Sequence, residues 1–207
     1  MIVTAIRDQY ADAAILGEEG GVYAGSAAER FIVDPLDGTT NYAHRYPAFC
    51  VSIAFEQEGV VQAGVVHAPA FGMTFAASRG HGATCNGSSI AVSSVDRVAE
   101  ALVCTGFLPW DYDRNGRAFA AFARVAQGVR RDGAAALDLA LVAAGSFDAF
   151  WEQDLRPWDM AAGALIVMEA GGMVTATDGS AFSSDQPSIL ASNARLHAEM
   201  LKRLREA

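Results

Sequence analysis

The sequence predicts a mixed α and β fold with helices layered against two sheets. Three observations carry this. Residues 31 to 92 consist of short apolar runs broken by turn residues, the pattern of an antiparallel sheet. From residue 116 onward, stretches with apolar residues at helical spacing alternate with short strand-like runs. No repeat and no linker divides the chain, which reads as one domain over residues 1–207, with an antiparallel lobe at 1–105 and an α/β lobe at 106–207.

The elements follow in order. Ile2, Ile6 and Tyr10 fall on one helical stripe with no capping residue before them. Ala14-Ile15-Leu16 leads into the turn Gly17-Glu18-Glu19-Gly20-Gly21, and Phe31 to Val33 is a buried strand ending at Asp34. Phe49 to Glu56 and Val60 to His67 form a hairpin through Gln57-Glu58-Gly59, Met73 to Ala77 adds a strand, and Asn86-Gly87 makes a tight turn because both residues tolerate positive φ. Gly116 to Gln127 is a helix with Phe119, Phe122, Ala123 and Ala126 on one face. Ala134 to Ala144 is a small-residue helix closed by Gly145. Phe147 to Trp151 is a strand, Asp159 to Ala170 a helix stopped by Gly171-Gly172, Met173 to Thr177 a strand before the Asp178-Gly179 turn, and Ile189 to Ala191 a last strand before a helix from Arg195.

Composition narrows the function. Of 207 residues 52% are hydrophobic and 19% charged, so the chain can bury a core and is not disordered. The 24 acidic residues exceed the 15 basic ones, net −9, which disfavours a nucleic-acid partner: phosphate neutralisation needs a clustered basic patch. Cys50, Cys85 and Cys104 are odd in number and widely spaced, against a disulfide framework, and the four histidines lack zinc-ligand spacing. No leader and no membrane-length apolar run is visible, which places the chain in a reducing cytoplasm with no membrane partner. Acidity is concentrated between residues 8 and 37, where Asp8, Asp12, Glu18, Glu19, Glu29, Asp34 and Asp37 face only Arg30. Such a run is either a solvated face or a hard-cation site.

Asp34-Pro35-Leu36-Asp37-Gly38-Thr39-Thr40-Asn41 favours the cation site. A buried strand delivers Asp34 to its carboxyl end, where ligands commonly sit in α/β folds. Asp37 follows three residues later, so two carboxylates can converge with the Leu36 carbonyl between them, an all-oxygen set suited to Mg²⁺. Gly38-Thr39-Thr40 then offers free N–H groups at a helix start for a phosphate oxygen. A covalent aspartyl-phosphatase motif needs a nucleophilic Asp where Pro35 stands, and no P-loop is present.

Asp34 to Asn41 with Tyr42-Ala43-His44-Arg45-Tyr46-Pro47 resembles the first signature of the inositol monophosphatase family, and Trp158-Asp159-Met160-Ala161-Ala162-Gly163, running to Glu169-Ala170-Gly171-Gly172, resembles the second. The resemblance implies a layered αβαβα sandwich and two or three Mg²⁺ ions held by Glu18, Asp34, the Leu36 carbonyl, Asp37 and Asp159. It also implies phosphate contacts from Asp37, Gly38 and Thr39, a substrate wall at Gly133-Ala134-Ala135, and polyol contacts from Glu152 and Asp159. Ala134 departs from the Ser or Thr of many relatives. The implied reaction is in-line attack by a metal-activated water on a small phosphate monoester, inositol monophosphate first, without a phosphoenzyme. Fructose 1,6-bisphosphate, histidinol phosphate, adenosine 3′,5′-bisphosphate and a non-catalytic regulatory role are the alternatives. Lithium sensitivity and a homodimer are further implications. Family members carry an upstream Asp-x-Val-Thr-x-x-Asp motif whose Asp pairs with the residue matched by Thr39 to orient water. Met1 aligns after it and Asp8 and Asp12 do not match it, so the expectation is a missing first helical segment and a loss of ~10²–10⁴-fold in water activation.

Overall fold

Where helices pack on both faces of a sheet, neighbouring residues on one strand can both be buried, as Ile32 and Val33 are. A computed structural model describes residues 1–107 and 115–207. Helix α1 (Ile2–Gln9) precedes β1 (Ala13–Gly17), β2 (Gly21–Tyr23), β3 (Ser26–Asp37), the short helix α2 (Thr39–Ala43), β4 (Cys50–Gln57), β5 (Val60–Ala68), β6 (Met73–Ser78), β7 (Ala83–Cys85) and β8 (Ser88–Ser89). These strands form one sheet in the order β2-β1-β3-β4-β5-β6-β7-β8, antiparallel throughout except for the parallel β1–β3 pair. Then come β9 (Leu102–Thr105), α3 (Arg117–Ala123), β10 (Gly128–Arg130), α4 (Ala135–Ala143), β11 (Ala149–Gln153), α5 (Pro157–Glu169), β12 (Gly172–Thr175), β13 (Ser188–Asn193) and α6 (His197–Glu206). The second sheet runs β10-β9-β11-β13-β12.

Alternation along each strand assigns the layers. On β3, Ile32 enters the central core while Phe31 and Val33 pack outward with Ile6 of α1. On β11, Phe150 points into the same central core and Trp151 outward against Phe122 of α3, ring centroids 4.5 Å apart, with Met200 of α6 in the same outer cluster. Helices α4 and α5 lie between the sheets, so the order is α1, first sheet, α4–α5, second sheet, α3–α6: the αβαβα sandwich the sequence implied.

Small residues set the spacing of the central layer. A Cβ on Gly64 of β5 would lie 2.9 Å from the Ala162 Cα of α5, and one on Gly163 would lie 2.6 Å from the Leu139 Cβ of α4. Gly163→Ala is therefore expected to destabilise by about 1–3 kcal/mol, because overpacking outweighs the ~1 kcal/mol that alanine gains in helix propensity. Urea denaturation measures it; unchanged or raised stability would show that α4 and α5 can part freely.

Several element boundaries differ from the sequence reading. Strands β9 and β10 were not foreseen: four and three residues are too short to show a period. Helix α3 stops at Ala123 rather than Gln127, since the chain turns to pair β10 with β9, and its buried face runs through Ala118 and Phe122 while Ala123 is exposed. Helix α5 starts at Pro157, a residue suited to the first helical position because its absent N–H needs no partner there. Helix α6 starts at His197, not Arg195; Asn193 Oδ1 accepts the N–H groups of Arg195 and Leu196 ahead of it. His197 is buried between Thr175 Oγ1 (3.0 Å) and Ser192 Oγ (2.8 Å). The three cysteines are unbridged, Cys50 and Cys104 buried and Cys85 half-buried. No described helix is long and apolar enough to cross a membrane.

Candidate active site

A bulge at the end of β3 creates the site. Asp34 pairs with Ser52 of β4 and Asp37 with Cys50, so Pro35 and Leu36 together oppose Val51. One extra residue on one strand bends it and re-aims its side chains. Proline is tolerated at such a position because no ladder N–H is required of it. The bulge leaves both aspartates buried at the sheet's end, Asp34 at 2% and Asp37 at 8% exposure.

Each carboxylate is steadied by a backbone donor. The Leu36 N–H donates to Asp34 Oδ1 at 2.8 Å, the Ala136 N–H at the start of α4 to Asp37 Oδ2 at 2.8 Å, and the Arg156 N–H before α5 to Asp159 Oδ2 at 2.7 Å. Among the described residues, Asp34 Oδ2 and Asp159 Oδ1 accept no hydrogen bond. Glu18, exposed in the β1–β2 turn, is tied to the same place by its N–H, which donates to Val33 O at 3.2 Å.

The four acids act on one another. Burial first, then the Asp37 charge, with smaller contributions from Glu18 and Asp159, push Asp34 up to about 8. Burial and the Asp159 charge push Asp37 up to about 7 against the opposing Ala136 N–H bond. Burial, with Glu18 adding, takes Asp159 to about 6. Glu152 on β11 rises to about 8, by burial and then the charges of Asp37 and Asp159. Four separate segments thus deliver carboxylates into one low-dielectric place, an arrangement that a multivalent cation relieves.

The donor set fits Mg²⁺: carboxylates and the Leu36 carbonyl are hard oxygen ligands, and the aspartates reach the site with oxygens that no protein group claims. No three of these carboxylates bring donor atoms within 4.8 Å of one another; among the described residues only Cys104, Asp132 and Asp138 do.

The neighbouring residues complete the candidate site. Gly38 has φ 85°, and a Cβ there would stand 2.8 Å from Ala48 O, so only glycine makes this turn. Thr39 Oγ1 donates to the Leu36 carbonyl at 3.0 Å, and the first N–H groups of α2 lack helical partners. Ala134 and Ala135 are buried, so this wall offers backbone rather than side chain, and the Ala134 Cβ faces the Gly38 turn. Glu152 lies so close over Gly106 that any side chain there would strike its carboxyl.

The sequence did not single out the groups that join these pieces. Asn41 Nδ2 donates to Ala48 O at 2.7 Å and Asp132 O at 2.6 Å, fastening α2 to the Gly133 loop. The Cys50 thiol donates to Asp37 Oδ2 at 3.5 Å. Asn41 closes the signature octapeptide and could have been read as such; the Ala136 N–H leaves no trace in a sequence.

The model of the inositol monophosphatase family matches residues 1–207. The chain is 45% identical over 217 residues to the chloroplastic phosphatase IMPL1 of Arabidopsis thaliana, covering 100% of this chain and 58% of that protein. It is 45% identical over 208 residues to the Nus factor SuhB of Pseudomonas aeruginosa, covering 97% of this chain and 77% of the relative. The solved inositol monophosphatase of Anabaena superposes with a TM-score of 0.95 at 41% identity, over 100% of this chain and 83% of that one. The chain therefore spans less than two thirds of the plant relative and about four fifths of the other two.

Proposed function

This chain belongs to the inositol monophosphatase family, and on that premise we propose that it hydrolyses a small polyol phosphate monoester, with inositol monophosphate as the leading substrate, at the site where Glu18, Asp34, Asp37 and Asp159 meet. The observation that carries this reading is the β3 bulge, which buries two aspartates three residues apart within electrostatic reach of Asp159 and Glu18. Glu18, Asp34, the Leu36 carbonyl, Asp37 and Asp159 would hold Mg²⁺. When bound, Mg²⁺ supplies acidification of water and neutralisation of phosphate charge.

The chain's own groups do the rest. The N–H groups after Asp37 receive a phosphate oxygen, positioned by a turn that Gly38 alone can make. The Ala136 N–H bond fixes the Asp37 carboxylate plane. The Thr39 hydroxyl, held on the Leu36 carbonyl, orients the water that attacks. Pro35 stands where a covalent nucleophile would be needed, so phosphoryl transfer goes directly to water. Glu152, buried within the field of Asp37 and Asp159, accepts hydrogen bonds from hydroxyls of the polyol.

Phosphate release from a panel of monoesters, with Mg²⁺ and with chelator, tests the reading. Turnover of inositol monophosphate only with Mg²⁺ is expected; hydrolysis indifferent to the chelator refutes it, and Mg²⁺ binding without turnover on any ester favours the non-catalytic alternative. Glu152→Gln is expected to raise KM for inositol monophosphate by roughly tenfold, about one hydrogen bond's worth, and to leave p-nitrophenyl phosphate, which has no polyol, unaffected. An equal effect on both esters would remove Glu152 from polyol recognition. Lithium titration of activity and light scattering test the lithium sensitivity and homodimer that belong to the same reading.

A further inference from the structure

A second group of ligating side chains lies outside the carboxylate site. Cys104 at the inner face of β9, Asp132 before α4 and Asp138 within α4 bring their sulfur and one oxygen each within 4.8 Å of one another. Neither Cys104 nor Asp138 has any part in the proposed phosphate hydrolysis. Asp138 is fully buried, neither of its oxygens has a partner in hydrogen-bond geometry, and the Cys104 thiol is the side chain near enough to ease its charge. A buried carboxyl without partners is among the costliest arrangements a core can hold. One of its oxygens lies within 4.8 Å of both the Cys104 sulfur and an Asp132 oxygen. Asp132 is only half-buried, which leaves a way in from solvent.

We propose that Cys104, Asp132 and Asp138 form a binding site for a thiophilic divalent cation of the Zn²⁺ class, distinct from the Mg²⁺ site. The chemistry follows from the ligands. One thiolate among two carboxylates selects Zn²⁺ over the hard, sulfur-averse Mg²⁺. Metal–sulfur and metal–oxygen bonds of about 2.3 and 2.1 Å put ligand atoms roughly 3.5 Å apart, so side-chain shifts of about an ångström close the set. Three protein ligands leave a fourth position for water on the Asp132 side. Binding releases the Cys104 thiol proton and the proton held by the buried Asp138 carboxyl to solvent, and the thiolate electron pair makes the metal–sulfur bond.

The site also touches the phosphatase pocket. Asp132 O accepts the Asn41 amide at 2.6 Å, and four residues later the Ala136 N–H holds Asp37. A cation gripping Asp132 and Asp138 would brace the loop between those two contacts.

Co²⁺ titration tests the proposal, because a thiolate–cobalt bond gives a charge-transfer absorption that oxygen ligands do not. The unsubstituted chain is expected to show this band, saturating at one Co²⁺ per chain, displaced by Zn²⁺ and unaffected by excess Mg²⁺. Cys104→Ala should abolish it, Cys50→Ala should leave it, and the near-isosteric Asp138→Asn should weaken Co²⁺ binding at least tenfold. No band in the unsubstituted chain overturns the proposal whether or not any variant folds, and means that Asp138 stays protonated and unliganded. A band that survives Cys104→Ala overturns it as well, assigning the sulfur to Cys50 or Cys85.

Discussion

Asp37→Asn is expected to lower Mg²⁺-dependent phosphate release by ~10³-fold or more while leaving the protein folded. Asn has the shape of Asp, and its amide oxygen can still accept the Ala136 N–H that Asp37 Oδ2 takes at 2.8 Å. What disappears is the anionic ligand, and with it the charge that positions cation and phosphate; losses of 10²–10⁴ follow removal of single groups with such roles. Stability should move the other way. Burial and Asp159 already hold Asp37 up at about 7, so its ionised form is unfavourable in the metal-free fold. A neutral residue at position 37 removes that repulsion, and the unfolding midpoint in chelator should stay level or rise. Loss of activity together with loss of fold would assign Asp37 to structure. Activity within tenfold of the unsubstituted chain would break the proposed site.

The second large effect is on stability against pH. Asp34 and Glu152 titrate at about 8, Asp37 at about 7 and Asp159 at about 6 in the fold, all above their unfolded values. The folded chain therefore binds more protons than the unfolded chain between about pH 4 and 8. The contribution of these groups is whole below pH 4 and is lost as pH rises through their folded values. Each tenfold difference in proton affinity between fold and unfolded chain counts about 1.4 kcal/mol, so the metal-free protein should lose stability steeply across that range, by less than the sum of the separate groups because they share one field. Mg²⁺ should flatten the profile, because it replaces the protons as the partner of Asp34, Asp37 and Asp159. Urea denaturation at pH 5 and pH 8, in chelator and in Mg²⁺, reads the difference. Parallel pH profiles in the two conditions would mean that the cation does not bind these groups.

Much of this was legible along the chain because it is local. Asp34-Pro35-Leu36-Asp37-Gly38-Thr39 specifies its own turn: a proline where no ladder N–H is needed and a glycine at φ 85°. Gly145 and Gly171, at φ 72° and 86°, end α4 and α5 as their positions foretold. The hairpins from Phe49 to Ala77 followed from apolar runs and turn residues, and the observed strands differ from them by a residue at their ends. Glu18 and Asp159 were picked out by resemblance to a family signature, and the fold supplies the reason they matter: from far along the chain, both make a buried aspartate harder to ionise.

Other features had no local signal. Phe31, Ile32 and Val33 are equally apolar on paper, and only the layers on either side decide that Ile32 faces α4–α5 and its neighbours face α1. Asp138 looks like any polar residue on a helix, yet α4 is buried on nearly every side, so its carboxyl ends in the core beside Cys104. The amino-acid sequence by itself determined the turns, the helix stops, the strand runs and the all-oxygen character of the proposed metal site, because each is fixed by the chemistry of a few consecutive residues. The tertiary structure alone decided which carboxylates share a field, which backbone N–H holds each of them, and which thiol meets which acid. Those are distances between segments up to a hundred residues apart, set by the packing of two sheets around α4 and α5.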